Sequence, residues 1–237
     1  MCAADLNIKK ILSLHEKNDR EEAGLFLIEG RREIDLAVKN GVNIVQILDS
    51  SNTSAKNLAR ISYRGEIVAV AEIPRRDSKN LVLPPDPLVV VLDRLEKPGN
   101  IGAILRTAEA AGVNAVLVCG GGGDLCNPNL IRASLGAVFS IPVFCLTDVE
   151  AINWLDSRKI PIIVASPYAQ KTYFTHDFKR SSAVIIGSEA DGVSEIWSKK
   201  AAASVAIPMR GAVDSLNASV SAATLIYEAL RQRHENP

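Results

Sequence analysis

Apolar residues in this chain fall into short runs separated by amphipathic stretches, the rhythm of strands alternating with helices. Leu25-Phe26-Leu27-Ile28 is an apolar run ending in Glu29-Gly30 and predicts a strand. Residues 31–40 then place Ile34, Ala37 and Val38 on one face and stop at Gly41, as a helix does. Strands are predicted over 43–48 and 67–71, with a helix over 53–61 between them. Beyond residue 87 the alternation becomes stricter. Leu88-Val89-Val90-Val91-Leu92 has the composition of a strand buried on both faces of a parallel sheet. Further strands are predicted over 115–118, 162–165, 183–186 and 205–207. Helices are predicted over 101–111, 129–135, 149–157 and 193–200, and from near Asn217 to about Arg233. Between the two patterns, residues 74–87 carry four prolines and several charges, as a linker would. The expected fold class is therefore α/β. A small N-terminal α/β domain (1–74) and a linker (75–87) precede a C-terminal domain with a mostly parallel sheet (88–237).

Composition narrows the function. A hydrophobic fraction of 47% in 237 residues supports a real core. Lys plus Arg number 27 and Asp plus Glu number 27, which excludes nucleic-acid binding driven by bulk positive charge. Local pairs such as Arg31-Arg32 and Arg75-Arg76 are either ordinary solvated surface or a localised anion footprint. The longest apolar run, 87–92, is too short to cross a bilayer. Met1-Cys2-Ala3-Ala4-Asp5-Leu6 has no secretory character. Cys2, Cys119, Cys126 and Cys145 show no C-x-x-C spacing, and three of them lie in or beside apolar segments as small buried hydrophobes would. His15, His176 and His234 are scattered. No metal site is expected, and a reducing cytoplasm is the simplest compartment. The glycine run 120–123 follows a predicted strand and reads as a flexible loop.

Chemistry concentrates at three strand exits. The first, 93–102, leads through Pro98-Gly99-Asn100-Ile101-Gly102 into a helix carrying Arg106. A dinucleotide fingerprint would need three glycines in fixed spacing. Only Gly99 and Gly102 are present, which disfavours an oxidoreductase. The second exit is Gly187-Ser188-Glu189-Ala190-Asp191-Gly192, whose two acids could equally serve the N-terminal end of the next helix. The third runs from Ile207-Pro208-Met209 to Ser215-Leu216-Asn217-Ala218-Ser219, where Asn217 is also a favoured helix cap and Ser215 a common turn residue.

Together, Asn100-x-Gly102-x-x-x-Arg106-Thr107-Ala108, Gly187-Ser188-Glu189-x-x-Gly192 and the third exit closely resemble the SpoU (TrmH) family of RNA 2′-O-ribose methyltransferases over about residues 88–233. A lesser match is Asn127-Pro128 with Arg132-Ala133-Ser134-x-Gly136. The segment around Phe26-Leu27-Ile28-Glu29-Gly30 looks like the small RNA substrate-binding domain that many members carry. The resemblance implies a trefoil-knotted catalytic domain and S-adenosylmethionine as cofactor, lined by Gly187, Ile207, Met209 and Leu216. It implies a homodimer and an RNA substrate, with ribosomal RNA favoured over transfer RNA by the extra domain. A relative that binds RNA without turnover is the remaining alternative. Arg106 is the family-matched catalytic residue. A guanidinium stays protonated, so its expected role is to grip a phosphate and stabilise the alkoxide-like transition state rather than act as a base. Asn100 and Asn217 are expected to position ribose and cofactor, and Glu189 and Ser215 to orient Arg106 or Asn217. RNA affinity is expected from Arg31, Arg32, Arg75, Arg76 and Arg132. On the last helix, Val220, Ala223, Ile226, Tyr227 and Leu230 form a candidate dimer face.

Overall fold

A computed structural model describes residues 6–63, 65–121 and 123–234. Cys2, the rest of the stretch 1–5, and Gly122 of the glycine run lie outside the described residues. In chain order the elements begin with α1 (Ile8–Ser13), α2 (Lys17–Ala23), β1 (Leu25–Glu29), α3 (Arg31–Lys39), β2 (Ile44–Leu48), α4 (Ala55–Ile61) and β3 (Val68–Glu72). Then come β4 (Leu88–Asp93), α5 (Pro98–Ala110), β5 (Ala115–Cys119), α6 (Pro128–Ala133) and α7 (Ala137–Ser140). The chain continues with β6 (Val143–Cys145), α8 (Asp148–Ser157), β7 (Ile162–Ala165), β8 (Lys171–Thr172), β9 (Ser182–Ile186), α9 (Glu195–Lys200), β10 (Ala203–Ala206) and α10 (Ala218–His234).

Two compact units form. The first takes residues up to Arg75 together with Asp124–Ser140; the second takes Arg76–Gly123 and residues from Ile141 onward. In the first unit a three-stranded sheet has the order β1-β3-β2, antiparallel throughout. Its core joins Leu27, Leu48, Val68 and Val70 from the strands to Ile11, Leu14, Leu58 and Ile61 from the helices. The α6–α7 segment belongs here. Phe139 meets Phe26 with ring centroids 6.1 Å apart, and Asp124 pairs with the buried Arg20. Arg20 also donates to the carbonyls of Leu14 (2.9 Å) and His15 (2.6 Å).

The second unit carries a seven-stranded sheet of order β6-β5-β4-β9-β7-β10-β8, with every pairing parallel. Val89, Val91, Ile185 and Val164 face a core completed by Trp154 and Leu155 of α8 and Trp197 of α9. Val90, Leu92, Val184 and Ile186 are buried as well, so the sheet is covered on both faces, which the unbroken apolar runs require. Burying each such side chain contributes about 1.5–3 kcal/mol. α8 starts with a capping box, Thr147 and Glu150 bonding each other's backbone N–H. The segment read as a linker is held down on this unit. Leu81 and Leu83 lie on its core, and the Trp154 indole N–H donates to the Ser78 carbonyl at 2.9 Å.

Several expectations change. Of the described cysteines, only Cys119 is a buried hydrophobe; Cys126 is half-buried and Cys145 exposed. Burial pushes the Cys119 thiol pKa up, with nearby Asp148 adding to the effect. Gly120 and Gly123, the two ends of the glycine run, are closely approached by neighbouring residues. A side chain at Gly120 would place Cβ 2.4 Å from Arg94 Cγ, and one at Gly123 would place it 2.7 Å from Cys145 Sγ. The predicted face of α10 divides. Ile226 is in the core, Ala223 and Leu230 are half-buried, and Val220 and Tyr227 stay exposed at 48% and 50%.

Candidate functional site

Because the strands of the second unit are parallel, the loops leaving β4, β9, β7 and β10 gather beyond one edge of the sheet, where α/β proteins bind ligands. The β4 exit begins with Asp93, fully buried, which accepts a 2.6 Å hydrogen bond from the Ser194 N–H just ahead of α9. Arg94 follows at φ +56°, a left-handed conformation unusual for a side chain of this size. Its guanidinium reaches the Gly192 carbonyl at 3.4 Å. Pro98 opens α5 at a position that needs no N–H donor, and Asn100 stands on the first turn of that helix.

The β9 exit is a closed turn. Ser188 and Gly192 exchange two backbone hydrogen bonds of 3.1 and 3.0 Å, and the Asp191 N–H donates to Ser188 Oγ at 3.1 Å. Gly187 runs so close beneath this turn that a Cβ there would lie 2.1 Å from the Gly192 carbonyl carbon. The turn holds Glu189 toward α5 and α10. Asn100 Nδ2 donates to Glu189 Oε1 at 2.9 Å, and Asn217 Nδ2 donates to the same oxygen at 2.7 Å and to Asn100 Oδ1 at 3.2 Å. Lys97 pairs with Glu189 Oε2. On its other side Asn217 Oδ1 caps α10, accepting from the Ser219 N–H (2.9 Å) and Ser219 Oγ (2.6 Å). The cap therefore fixes which end of the amide faces the acid, so the structural and functional readings of Asn217 hold together. The Lys97 ammonium, then Asn100, hold the Glu189 carboxyl below its usual range.

That direction sets a pH dependence. A depressed carboxylate pKa means the network stays intact through the ordinary carboxylate range and dissolves only as pH falls below it. Glu189→Gln imitates the acid state at pH 7. It leaves one acceptor for three donors and turns an amide N–H₂ toward another donor. We expect cofactor affinity measured by calorimetry at pH 7 to fall several-fold, with little change in the unfolding midpoint.

Next to this network lies a cavity of about 900 Å³, lined from β9 by Gly187 and Glu189 and from the β10 exit by Ile207, Met209, Ser215 and Leu216. Its volume is that of a site for a nucleoside-sized ligand, and its wall alternates apolar side chains with the backbone of a glycine turn. Gly187, Ile207, Met209 and Leu216, the four residues expected at a cofactor pocket, all line this cavity. Glu189 and Ser215 belong to the same wall, while Asn100 and Asn217 reach it through Glu189. Arg106 stands apart. It is exposed on α5, about 9 Å beyond Asn100 along the helix axis, with no hydrogen bond or ion pair to any described residue. Glu189 therefore orients Asn100 and Asn217, not Arg106. Nor do Glu189 and Asp191 serve the next helix's first turn, because α9 begins only at Glu195.

Two contributors were missed in the sequence. Lys97 lies in the first exit, but nothing local marks it as the partner of an acid 92 residues away. Ser166, Pro167 and Tyr168, at the β7 exit, line the cavity as a third loop beside the β9 and β10 exits; that loop has no glycine and no motif. Among the described residues, no group of three or more His, Cys, Asp or Glu side chains is placed to hold a metal ion.

A parallel sheet with a cavity at its carboxyl edge, walled by a glycine turn and edged by an Asn–Glu–Asn network, defines a ligand-binding α/β domain. Comparison with known proteins makes this specific. Residues 87–227 match the SpoU rRNA Methylase family and residues 5–76 the MRM3-like substrate binding domain. The chain belongs to the SpoU rRNA Methylase family. It is 32% identical to a 23S rRNA (uridine(2479)-2′-O)-methyltransferase of Streptomyces viridochromogenes, over 93% of this chain and 87% of that one. It is 27% identical to the 23S rRNA (guanosine(2553)-2′-O)-methyltransferase RlmP of Bacillus subtilis, over 95% and 96%. Among solved structures, the SpoU methyltransferase AviRb from Streptomyces viridochromogenes, in complex with the cofactor AdoMet, superposes with a TM-score of 0.91 at 29% identity, covering 99% of this chain and 100% of that one.

Proposed function

We propose that this chain transfers a methyl group from S-adenosylmethionine to the 2′-hydroxyl of a ribose in ribosomal RNA. The observation that carries this reading is the cavity at the sheet's carboxyl edge, whose wall includes Gly187, Ile207, Met209 and Leu216. Membership of the family and the substrates named for the two bacterial relatives support it. The residues present suit the cofactor. Gly187 lets backbone approach closely, and Ile207, Met209 and Leu216 offer an apolar wall for an adenine ring. When bound, the cofactor supplies an electrophilic methyl group; the rest falls to the protein. Glu189, with both oxygens engaged and its pKa held down, is an orienting anion rather than a base. It sets Asn100 and Asn217 as positioning groups for ribose and cofactor, with Ser215 beside them. Arg106, whose guanidinium makes no hydrogen bond or ion pair with a described residue, grips the phosphate next to the target ribose and stabilises negative charge developing on the 2′-oxygen. The same reading includes a trefoil knot, an RNA-binding N-terminal domain over 1–74 and a cytoplasmic homodimer. The exposed Val220 and Tyr227 on α10 support a dimer.

The test is to map 2′-O-methyl positions in total RNA from cells with and without this chain. A new site in ribosomal RNA is expected. A site in transfer RNA would move the target, and binding without methylation would leave an inactive relative. The neutral net charge requires affinity to come from local cations such as Arg31, Arg32, Arg75, Arg76 and Arg132. Five phosphate contacts at about −0.7 each give a salt slope of roughly −3.5, or about a hundredfold weaker binding at 200 mM than at 50 mM salt. Filter binding across that range checks it, and a flat response removes the footprint.

A further inference from the structure

The first unit carries a surface feature that the proposed methyl-transfer chemistry does not use. Glu29, at the end of β1, is 5% exposed, yet three groups converge on its Oε2. Ser62 Oγ donates to it at 3.1 Å, the Tyr63 N–H donates at 2.9 Å, and Arg132 Nη1 lies 3.7 Å away. Arg132 also donates to Asn129 Oδ1, and its guanidinium lies over the Tyr63 ring, 4.9 Å from the centroid. One buried carboxylate oxygen thus fixes both the backbone that carries the ring and the cation that covers one face of it. Tyr63 as a residue is 84% exposed.

An aromatic side chain on a surface normally keeps its rotamer freedom. Here three separate interactions hold the turn and the cation against it, and none of them buries the ring. A flat, ordered, uncovered π-face beside a guanidinium is what a stacked nucleobase needs, because the ordering cost is met before binding. The cation also suits the charge of the strand that carries the base. The exposed pair Arg31-Arg32 follows Glu29 across only Gly30, adding positive charge to the same end of β1.

We infer that Tyr63, backed by Arg132 and anchored by Glu29, is a stacking platform for one unpaired base of the RNA substrate. This rests on the reading that the substrate is RNA. Arg132 would keep its contact with one ring face while a guanidinium edge reaches an adjacent phosphate, and the base would cover the open face. Such a site selects single-stranded or flipped-out nucleotides, since a base within a duplex offers no free face.

The experiment uses the full-length protein and purified ribosomal RNA, with binding and methyl incorporation measured for wild type, Tyr63→Ala, Tyr63→Leu, Tyr63→Phe and Arg132→Lys. Tyr63→Ala and Tyr63→Leu are expected to weaken RNA binding by about 5- to 150-fold, the range for one lost base stack. Tyr63→Phe, which keeps the π-face, is expected to stay within about twofold of wild type. Arg132→Lys keeps the charge but not the planar backing, so it should weaken binding while leaving the salt slope unchanged. S-adenosylmethionine affinity should be the same in all five. RNA binding by Tyr63→Ala equal to wild type overturns the platform, whatever the methylation result. Wild type that binds RNA but methylates none overturns the methyltransferase reading and leaves the variants to decide the platform. Wild type that does not bind RNA overturns both.

Discussion

Arg106→Ala is expected to lower the methylation rate constant at saturating substrates by about 10²–10³-fold, equivalent to roughly 2.7–4 kcal/mol of lost transition-state stabilisation. It should do so with cofactor affinity and folding intact. Its side chain is exposed and bonded to no described residue, so truncation leaves no buried group unsatisfied, and a stability change within about 0.5 kcal/mol is expected. It is absent from the cavity wall, so calorimetric binding of S-adenosylmethionine should not change. A loss confined to turnover is the signature of a group that acts on charge appearing only in the transition state. Arg106→Lys separates charge from shape. A lysine supplies the charge without the planar fork that grips phosphate in two places, so partial recovery is expected. Single-turnover methyl incorporation checks all of this. Near-normal turnover by a folded Arg106→Ala would remove the residue from the chemistry.

How much of this was legible in the sequence depends on how local each cause is. The central strands of the second unit are spelled out by runs such as Leu88 to Leu92, because a strand buried on both faces has no polar positions to confuse the pattern. α1 and α2 were not read. They are six and seven residues long, and α2, Lys-Asn-Asp-Arg-Glu-Glu-Ala, shows almost no apolar face. Residues 124–140 belong with the first unit for reasons no window of sequence contains. Asp124 pairs with Arg20, and Gly136, at φ +82°, lies where a Cβ would come within 2.9 Å of Leu36. In the candidate site, the resemblance supplied Asn100, Glu189 and Asn217, but not that one oxygen of Glu189 joins the two amides. Lys97 and the β7 loop had no mark of their own. They matter only because parallel pairing brings distant strand exits to one edge, a consequence of strand order rather than of any residue.

That dependence on the backbone makes Gly187 the position where one added carbon should do the most damage. In Gly187→Ala the methyl group would lie 2.1 Å from the Gly192 carbonyl carbon, 2.3 Å from its oxygen and 2.3 Å from the Val193 nitrogen. All three are main-chain atoms, so no side-chain rotation relieves the overlap and the Ser188–Gly192 turn must open. Opening it breaks the paired 3.1 and 3.0 Å bonds across the turn and carries Glu189 away from Asn100 and Asn217. Overpacking of this kind costs about 1–3 kcal/mol, which lowers Tm by roughly 2–12 °C in a chain of this size. Cofactor binding should suffer more, because Gly187, Glu189 and Gly192 all line the cavity. An S-adenosylmethionine Kd at least about tenfold weaker is expected. RNA binding through the first unit should persist, since Glu29, Tyr63 and Arg132 belong to a separate compact unit from the turn. Gly99→Ala is the control: a methyl group there meets nothing within 4 Å, on a helix that favours alanine. Its Tm should hold or rise slightly. Calorimetry and thermal unfolding on the two variants decide the matter, and a Gly187→Ala protein that binds cofactor like wild type would mean that the turn does not shape the pocket.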